Sequence, residues 1–404
     1  LQLRATALAV VCLLLRGAAP VWADVEAASR VTFFREPGNS NEGVTVVHPQ
    51  TDVNAVLGES LSIGAGYEVD MVSGATPAIY SAQSGVDAIS GATKFDDFRQ
   101  AARAALGWNT NTVGVNAAYS YGWESDYRSH TLQVGAKGDF LERNFTLGLA
   151  YTRNLDEVCD QNNEAAQGLL DLKPLVSSAT CFQTGQRTTV TRKVDIDTLE
   201  PSLTWTATPK LLLQFGATLQ LLDGFQSSPY RRVVVNFQGQ APQERLPEQR
   251  QRYALFVRGN WAFPSIRGAL SMGARAYRDS WDLWSGTLDT WFNKYLASKI
   301  LVTLRGRYHK QTGAVFFRSG PDLEIKGPTG EYWTGDRELA PMDTILAGFK
   351  LAYISKRGQE QQAFLEEVEI NAKFDGLIYN LDANAPNADR PYALIAQLGA
   401  ALRF

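Results

Sequence analysis

Cysteine, histidine and methionine each occur only three times in 404 residues. That scarcity excludes a disulfide-dense miniprotein and a cysteine-ligated zinc or iron–sulfur protein. No Cys-x-x-Cys-His occurs, which removes covalent c-type haem. A glycine-rich phosphate loop, Gly-x-Ser-x-Gly and His-Glu-x-x-His are also missing, so the common phosphoryl, acyl-transfer and zinc-hydrolase signatures are absent. The formal charge of −3 leaves no basic field for nucleic acid. Beyond the N-terminus no apolar run reaches about 18 residues, which excludes a helical membrane protein. With 45% hydrophobic residues the chain is too apolar to be disordered.

What the chain does have is glycine (34) and aromatic residues, with 19 Phe, 15 Tyr and 9 Trp. Residues 1–23 read as a secretory signal peptide. Arg4 supplies the charged start, Ala5 to Leu15 the apolar stretch, and Val21-Trp22-Ala23 the small-residue pattern before Asp24. Arg16 holds the apolar run well below a membrane span, and loss of this segment takes the net charge to about −5. The remaining 24–404 is expected to form one exported domain.

Period-two alternation runs through most of that domain. Val113, Val115, Ala117, Tyr119 and Tyr121 share one face, with Gly114, Asn116, Ala118 and Ser120 on the other. Leu211, Leu213, Phe215, Ala217, Leu219 and Leu221 alternate with Gln214, Gly216, Thr218 and Gln220. Val302, Leu304 and Tyr308 oppose Thr303, Arg305 and Arg307. A soluble β-sandwich alternates in the same way. Strands of about ten residues or more, with one face polar enough to line a lumen, favour a transmembrane antiparallel up-and-down β-barrel of the bacterial outer membrane.

Connections fall into two alternating classes. Short turns are expected near 56–58, 108–111, 141–143, 207–210, 263–265, 298–299 and 356–360. Longer or more polar ones fall near 37–41, 73–95, 123–126, 158–187, 225–248, 279–283, 318–341 and 380–390. Short periplasmic turns alternating with longer external loops produce this rhythm. Counting from a strand near 28–36 to the last at 391–404 gives sixteen strands, or fourteen if the first two do not form. An even number puts both termini in the periplasm. Trp108, Trp205 and Trp261 lie near short turns, and Tyr121, Trp123, Trp281 and Trp284 near long loops, where interfacial girdles belong. The final strand is apolar at its even positions from Tyr392 to Leu402 and ends on Phe404. It resembles the C-terminal signal by which the barrel-insertion machinery recognises outer-membrane barrels.

One loop differs from the scaffold. Residues 69–76 read Val69-Asp70-Met71-Val72-Ser73-Gly74-Ala75-Thr76, and seventeen residues later 86–93 read Val86-Asp87-Ala88-Ile89-Ser90-Gly91-Ala92-Thr93. Six of eight positions are identical and a seventh exchanges valine for isoleucine. The pattern Asp-x-(Ile/Val)-Ser-Gly-Ala-Thr resembles the flavinylation motif of FMN-binding domains in bacterial redox pumps and related exported proteins. In those families a flavin transferase moves FMN from FAD onto the final threonine through a phosphoester bond. The resemblance implies Thr76 and Thr93 as acceptors and Asp70 and Asp87 as the acidic members. The small residues Gly74/Ala75 and Gly91/Ala92 would leave the backbone sterically open for attack on phosphorus. Many such motifs carry a second hydroxyl two positions after the acceptor, where this chain has Ala78 and Phe95. No other part of a soluble FMN-binding domain is evident.

As a whole the chain is similar to a bacterial family of outer-membrane barrels of unknown function. Members tend to carry Val-Asp-x-Val-(Ser/Thr)-x-Ala-(Ser/Thr) after an early strand, and their genes are commonly associated with flavin transferases. Together these resemblances imply a barrel in outer-membrane lipid that carries covalent FMN and exchanges electrons with partner proteins. It would be a carrier and not a self-contained catalyst, since the flavin holds the redox chemistry. The bland alternative is a passive porin or structural barrel in a surface complex, whose repeated Ser-Gly-Ala-Thr is a duplicated turn.

Three further groups carry weaker signals. Cys159 and Cys181 both fall within 158–187, and in an oxidising compartment they are expected to form a disulfide closing that loop. His48, His130 and His309 are isolated in sequence, so ordinary surface or lumen positions are expected over a hydrolase site. Arg99, Arg103, Arg305 and Arg307 occupy lumen phase. They are expected to pair with acids such as Glu366 and Glu369, or else to form an anion-selective surface or contact flavin phosphates.

Overall fold

A strand that alternates apolar and polar residues has two unlike faces, and in hydrocarbon its backbone groups find no water. A closed barrel answers both demands. The computed structural model describes residues 23–37, 43–75, 94–124, 126–161, 182, 189–228, 244–317, 332–356, 365–381 and 392–404.

The strands are β1 (Ala23–Glu36), β2 (Val44–Leu57), β3 (Leu61–Ala75), β4 (Lys94–Asn109), β5 (Val113–Trp123) and β6 (Tyr127–Phe140). Next come β7 (Phe145–Gln161), β8 (Thr189–Thr208), β9 (Leu211–Gly224), β10 (Gln249–Phe263) and β11 (Gly268–Asp279). The last five are β12 (Trp284–Ala297), β13 (Ile300–Gln311), β14 (Met342–Lys356), β15 (Glu367–Leu381) and β16 (Tyr392–Arg403). Each pairs antiparallel with its neighbours in chain order, and β1 pairs with β16 to close a sixteen-stranded barrel.

The first two strands are present, so the count is sixteen and not fourteen. β1 begins at Ala23, earlier than the residue 28 expected, and residues 1–22 of the expected signal segment lie outside the described residues. The closure is bonded to its ends. Val25 and Phe404 exchange two backbone hydrogen bonds, and Arg403 donates to both carboxylate oxygens of Asp24 at 3.0 and 2.8 Å. Both described chain ends therefore sit at the short-turn end, beside the turn between β2 and β3. The alternation of connection classes holds, with one change. The connection between β14 and β15, expected to be short, occupies 357–366.

Side-chain direction follows the sequence pattern. On β15, Ile370, Phe374 and Ile378 stand exposed on the outside, while Asn371, Lys373 and Asp375 turn inward. On β16, Leu394 and Leu398 face out, Leu398 with 65% of its surface open to the lipid. Leu304, Leu288, Leu219, Leu255 and Ile345 continue this band around the barrel. In water such a surface would aggregate; in hydrocarbon it is the favourable face. The band has an upper edge. On the outer face of the two longest strands, Arg153 of β7 pairs with Asp195 and Asp197 of β8, both at 2.9 Å. Tyr151 also donates to Asp197. Charges of this kind do not face hydrocarbon, so the β7–β8 hairpin projects beyond the membrane at the long-loop end.

The lumen is wet and ionic. Arg305 donates to Asp375 at 2.6 Å, with Lys373 3.5 Å from the same carboxylate oxygen, and Arg307 donates to Asp289 at 2.6 Å. The pairing expected of Arg305 and Arg307 holds, with Asp375 and Asp289 as the acids in place of Glu366 and Glu369; Glu369 takes Lys350 at 2.9 Å. Residues facing each other across the lumen wall are set by register, which spacing in the chain does not reveal.

Leu398→Arg, at mid-strand on the lipid face, is expected to destabilise the folded barrel by about 2–4 kcal/mol. Gln397→Asn, one residue away on the lumen face, should leave it nearly unchanged. Urea titration in lipid vesicles, followed by heat-modifiable gel mobility, separates the two.

Candidate functional site: a lumen arc below the motif and a capped cavity

The first copy of the repeated motif is partly strand. β3 extends through Ser73, Gly74 and Ala75, which stand opposite Asp96, Phe95 and Lys94 of β4. The expected loop from 73 is therefore shorter, beginning after Ala75. Thr76, Asp87, Ser90, Gly91, Ala92 and Thr93 lie outside the described residues. Of the motif side chains that are described, Val69, Asp70 and Met71, Asp70 is the charged one, and it points into the lumen.

Asp70 is the centre of a row of polar groups. Val47 pairs with Met71 and Gln50 with Glu68, so His48 of β2 lies opposite Asp70. His48 Nδ1 is 2.6 Å from Asp70 Oδ1, the imidazole donating to the carboxylate. From the other side, Arg99 of β4 lies directly opposite Asp70, with Nη1 3.7 Å from Oδ2. Arg99 Nε is buried and meets no acceptor among the described residues. The next strand carries Gly122, where a Cβ would stand in ordinary van der Waals contact with the Arg99 guanidinium and the Ser129 Cβ. Beyond it, Ser129 of β6 donates to Asp156 of β7 at 2.7 Å, and Tyr127 donates to the other oxygen at 2.5 Å. A polar arc thus runs at one level around the lumen from β2 to β7. Sequence reasoning placed His48 and Asp70 separately because they are neighbours only through strand pairing.

The other two histidines are also engaged. His130 Nδ1 lies 2.7 Å from the Tyr119 hydroxyl on the outer face, beside Tyr121 and Trp123, which stack at 5.5 Å. His309 Nδ1 lies 2.8 Å from Thr287 Oγ1. Among the described residues no cluster of metal-ligating side chains occurs.

The arc ends at the wall of a cavity, and the cavity has a folded roof. Parts of three long-loop connections pack across the mouth: 225–228 with 244–248, 280–283, and 312–317 with 332–341. Their apolar side chains Leu246, Trp281, Leu283, Ala314, Phe316 and Leu339 are all buried together. Trp281 therefore does not sit in the interfacial girdle expected from its position near a loop; it is 3% exposed, while Trp284 three residues on is an exposed outer-face residue. Arg245 and Trp333 exchange backbone hydrogen bonds at 3.0 and 2.9 Å. Glu244 accepts from Ser228 N–H at 2.6 Å and from Thr334 Oγ1 at 2.7 Å.

Two charged anchors hold this cap. Asp279, buried at the end of β11, accepts from the Trp281 and Leu283 backbone N–H groups through Oδ1 at 2.9 and 3.0 Å. Its Oδ2 accepts from Tyr277 Oη at 2.8 Å and from the buried Arg250, whose guanidinium also lies 3.9 Å from the Trp281 ring centre. Far across the mouth, Arg337 in a short 3-10 turn pairs with the buried Glu36 at the top of β1. Burial works against the Arg337 charge, but the hydrogen bond it donates to Glu36, with the attraction of that carboxylate, outweighs burial and holds the group above its ordinary value. Below the cap is a cavity of about 790 Å³, lined by Tyr127, Asp156, Val194, Leu222, Arg252 and Arg275 among others.

Residues 3–382 match the family described as Protein of unknown function (DUF3570). The chain belongs to this family. No curated protein matches it. Among solved structures it is similar to a bacterial polysaccharide outer membrane secretin, at 9% identity and a TM-score of 0.49, over 96% of this chain and all of that one. It is also similar to Salmonella typhi OmpF in complex with daunomycin, at 9% identity and a TM-score of 0.42, over 95% and 97% of the two chains. Pseudomonas aeruginosa OccK2 (OpdF) matches at 9% identity and a TM-score of 0.41, over 95% and 98%. The lipid-facing apolar band and the closed sixteen-stranded sheet place the protein in the bacterial outer membrane.

Cys159 is fully buried at the end of β7; Cys181 lies outside the described residues. Asp279→Ala would strand the buried Arg250 and release two cap amides, a change expected to destabilise the cap by about 3–5 kcal/mol. Hydrogen exchange at Trp281 and Leu283 should speed up sharply, while amides in β14 and β15 stay protected.

Proposed function

We propose that this outer-membrane barrel carries covalently attached FMN on Thr76 and Thr93 and serves electron transfer outside the cytosol. The observation that carries the reading is the duplicated Asp-x-(Ile/Val)-Ser-Gly-Ala-Thr segment at the long-loop end of β3. In the flavin transfer, each threonine hydroxyl attacks the FMN phosphorus of FAD. The bond to the AMP phosphate breaks, AMP leaves, and the hydroxyl proton passes to solvent or transferase. Ser73, Gly74, Ala75, Ser90, Gly91 and Ala92 would give the transferase an unobstructed backbone. Asp70, held in the lumen by His48 and Arg99, roots the first copy on a rigid strand.

The flavin transferase is a partner before barrel insertion, when the segment is still in the periplasm. The barrel-insertion machinery and electron-transfer partner proteins follow from the same reading. The protein would be a redox carrier, with the flavin supplying the chemistry. A cap packed across part of the mouth speaks for this reading over a freely open passive pore. We also propose Cys181 as the disulfide partner of Cys159, tethering the end of β7 to its following loop.

Barrel purified from a host with an active flavin transferase should be yellow. Peptides holding Thr76 and Thr93 should each gain the mass of one FMN less one water. Thr76→Ala should remove one adduct and Thr93→Ala the other, without changing barrel folding. Unmodified threonines in both peptides would sink the proposal. Non-reducing peptide mapping checks the cysteine pair: a linked Cys159–Cys181 peptide should vanish on reduction.

A further inference from the structure

The walls of the cavity are chemically lopsided. Val158, Val194, Ile196 and Leu222 form an apolar side from β7 to β9, while Arg250, Arg252 and Arg275 enter from β10 and β11. The acids nearby are already engaged. Asp279 is saturated by Arg250, Tyr277 and two backbone amides. Asp156 accepts from Tyr127 and Ser129, and Glu244 from Ser228 and Thr334. Asp336 accepts from the Glu338 backbone N–H at the start of the 3-10 turn.

Arg252 is left with an incomplete set of acceptors. Its Nη1 donates to Gln220 Oε1 at 3.0 Å, and Gln220 is itself held by Thr198 at 2.9 Å. Its Nε is buried without any acceptor among the described residues. The Nε–Nη2 edge of a guanidinium is a planar two-donor fork whose spacing matches the two oxygens of a carboxylate. A buried donor left unmade is costly, so the site is short of one planar anion. Arg275 lines the same cavity and adds a second positive charge with no carboxylate partner among the described residues.

We propose that this cavity is a binding site for a small organic carboxylate with an apolar body. Its carboxylate docks on the Nε–Nη2 edge of Arg252, and its apolar part lies against Val194, Ile196 and Leu222. Arg275 supplies long-range attraction and not the fork. The cavity's volume is in the range of small-molecule sites, about 300–1,000 Å³. The site stands apart from the flavin reading, because none of its residues belongs to the motif.

Benzoate is a suitable probe, used in equilibrium dialysis with the full-length barrel folded in detergent micelles at low salt. One saturable site per barrel is expected, with benzylamine not bound and inorganic phosphate bound more weakly than benzoate. Arg252→Gln should weaken benzoate binding at least about tenfold. Arg252→Lys, which keeps the charge but not the fork, should also weaken it. Arg307→Gln removes a lumen charge elsewhere and should leave binding unchanged. Heat-modifiable mobility verifies folding of each variant, and Arg275→Gln, with a smaller loss expected, serves if the Arg252 variants do not fold. The proposal is overturned by absent benzoate binding, by equal binding of benzylamine or phosphate, or by equal losses in the Arg252 and Arg307 variants. Binding unchanged by removal of Arg252, or of Arg275 where that variant stands in, would also overturn it.

Discussion

The whole architecture depends on satisfying backbone hydrogen bonds where there is no water. An open sheet in hydrocarbon would leave a row of N–H and C=O groups unmade at each edge, and each costs several kcal/mol. Pairing β1 with β16 removes both edges, and the Asp24–Arg403 fork fastens the seam at its end. The period-two pattern then has a single interpretation: apolar side chains face lipid and polar ones face the lumen. Chemistry is confined to what remains, which is the lumen wall and the two rims. Both features that invite a functional reading sit there.

Among the described residues the barrel interior has no conventional core, and ion pairs take over the task of fixing side chains. Most of these are half-exposed and individually worth about 1 kcal/mol or less. The buried ones act differently. Asp279 gathers Arg250, Tyr277 and two turn amides onto one carboxylate, so the Trp281 turn has one way to fold. A small apolar cluster then forms on top of it, in a part of the molecule where solvent would otherwise enter. The cap is a satellite core, anchored by charge at both sides of the mouth.

The scaffold was legible in the sequence because one periodicity repeats with few breaks. Val113 to Tyr121 or Tyr392 to Leu402 alternate cleanly, and their directions in the barrel follow from the first residue. β2 is harder to read: Pro49 interrupts its donors, and Thr45, His48, Gln50 and Thr51 dilute the alternation. Trp281 marks a different limit. An aromatic beside a long loop normally reads as a girdle residue, and only the folding back of two other loops turns it inward. Arg305 and Asp375 are 70 positions apart and meet through two strand registers. Register is a property of the sheet, so neither lumen pairs nor the His48–Asp70 contact could be read from local spacing. The repeated motif is the opposite case, plain in sequence while most of its residues lie outside the described structure.

The polar arc links the two regions without making them one site. His48, Asp70 and Arg99 belong to β2, β3 and β4, and Asp156 to β7, at the edge of the cavity. Every member stands on a strand whose neighbours are bonded along their length, so its position is set by the sheet and not by a loop. Such a row can fix local charge beside the motif root while leaving the Arg252 side of the cavity, three strands beyond β7, electrostatically its own. Arg252 owes its open fork to local events on β9 to β11, namely the saturation of Asp279 and the capture of Nη1 by Gln220. A barrel wall makes this independence natural. Lateral hydrogen bonding transmits rigidity around the ring, whereas water in the lumen screens charge across it.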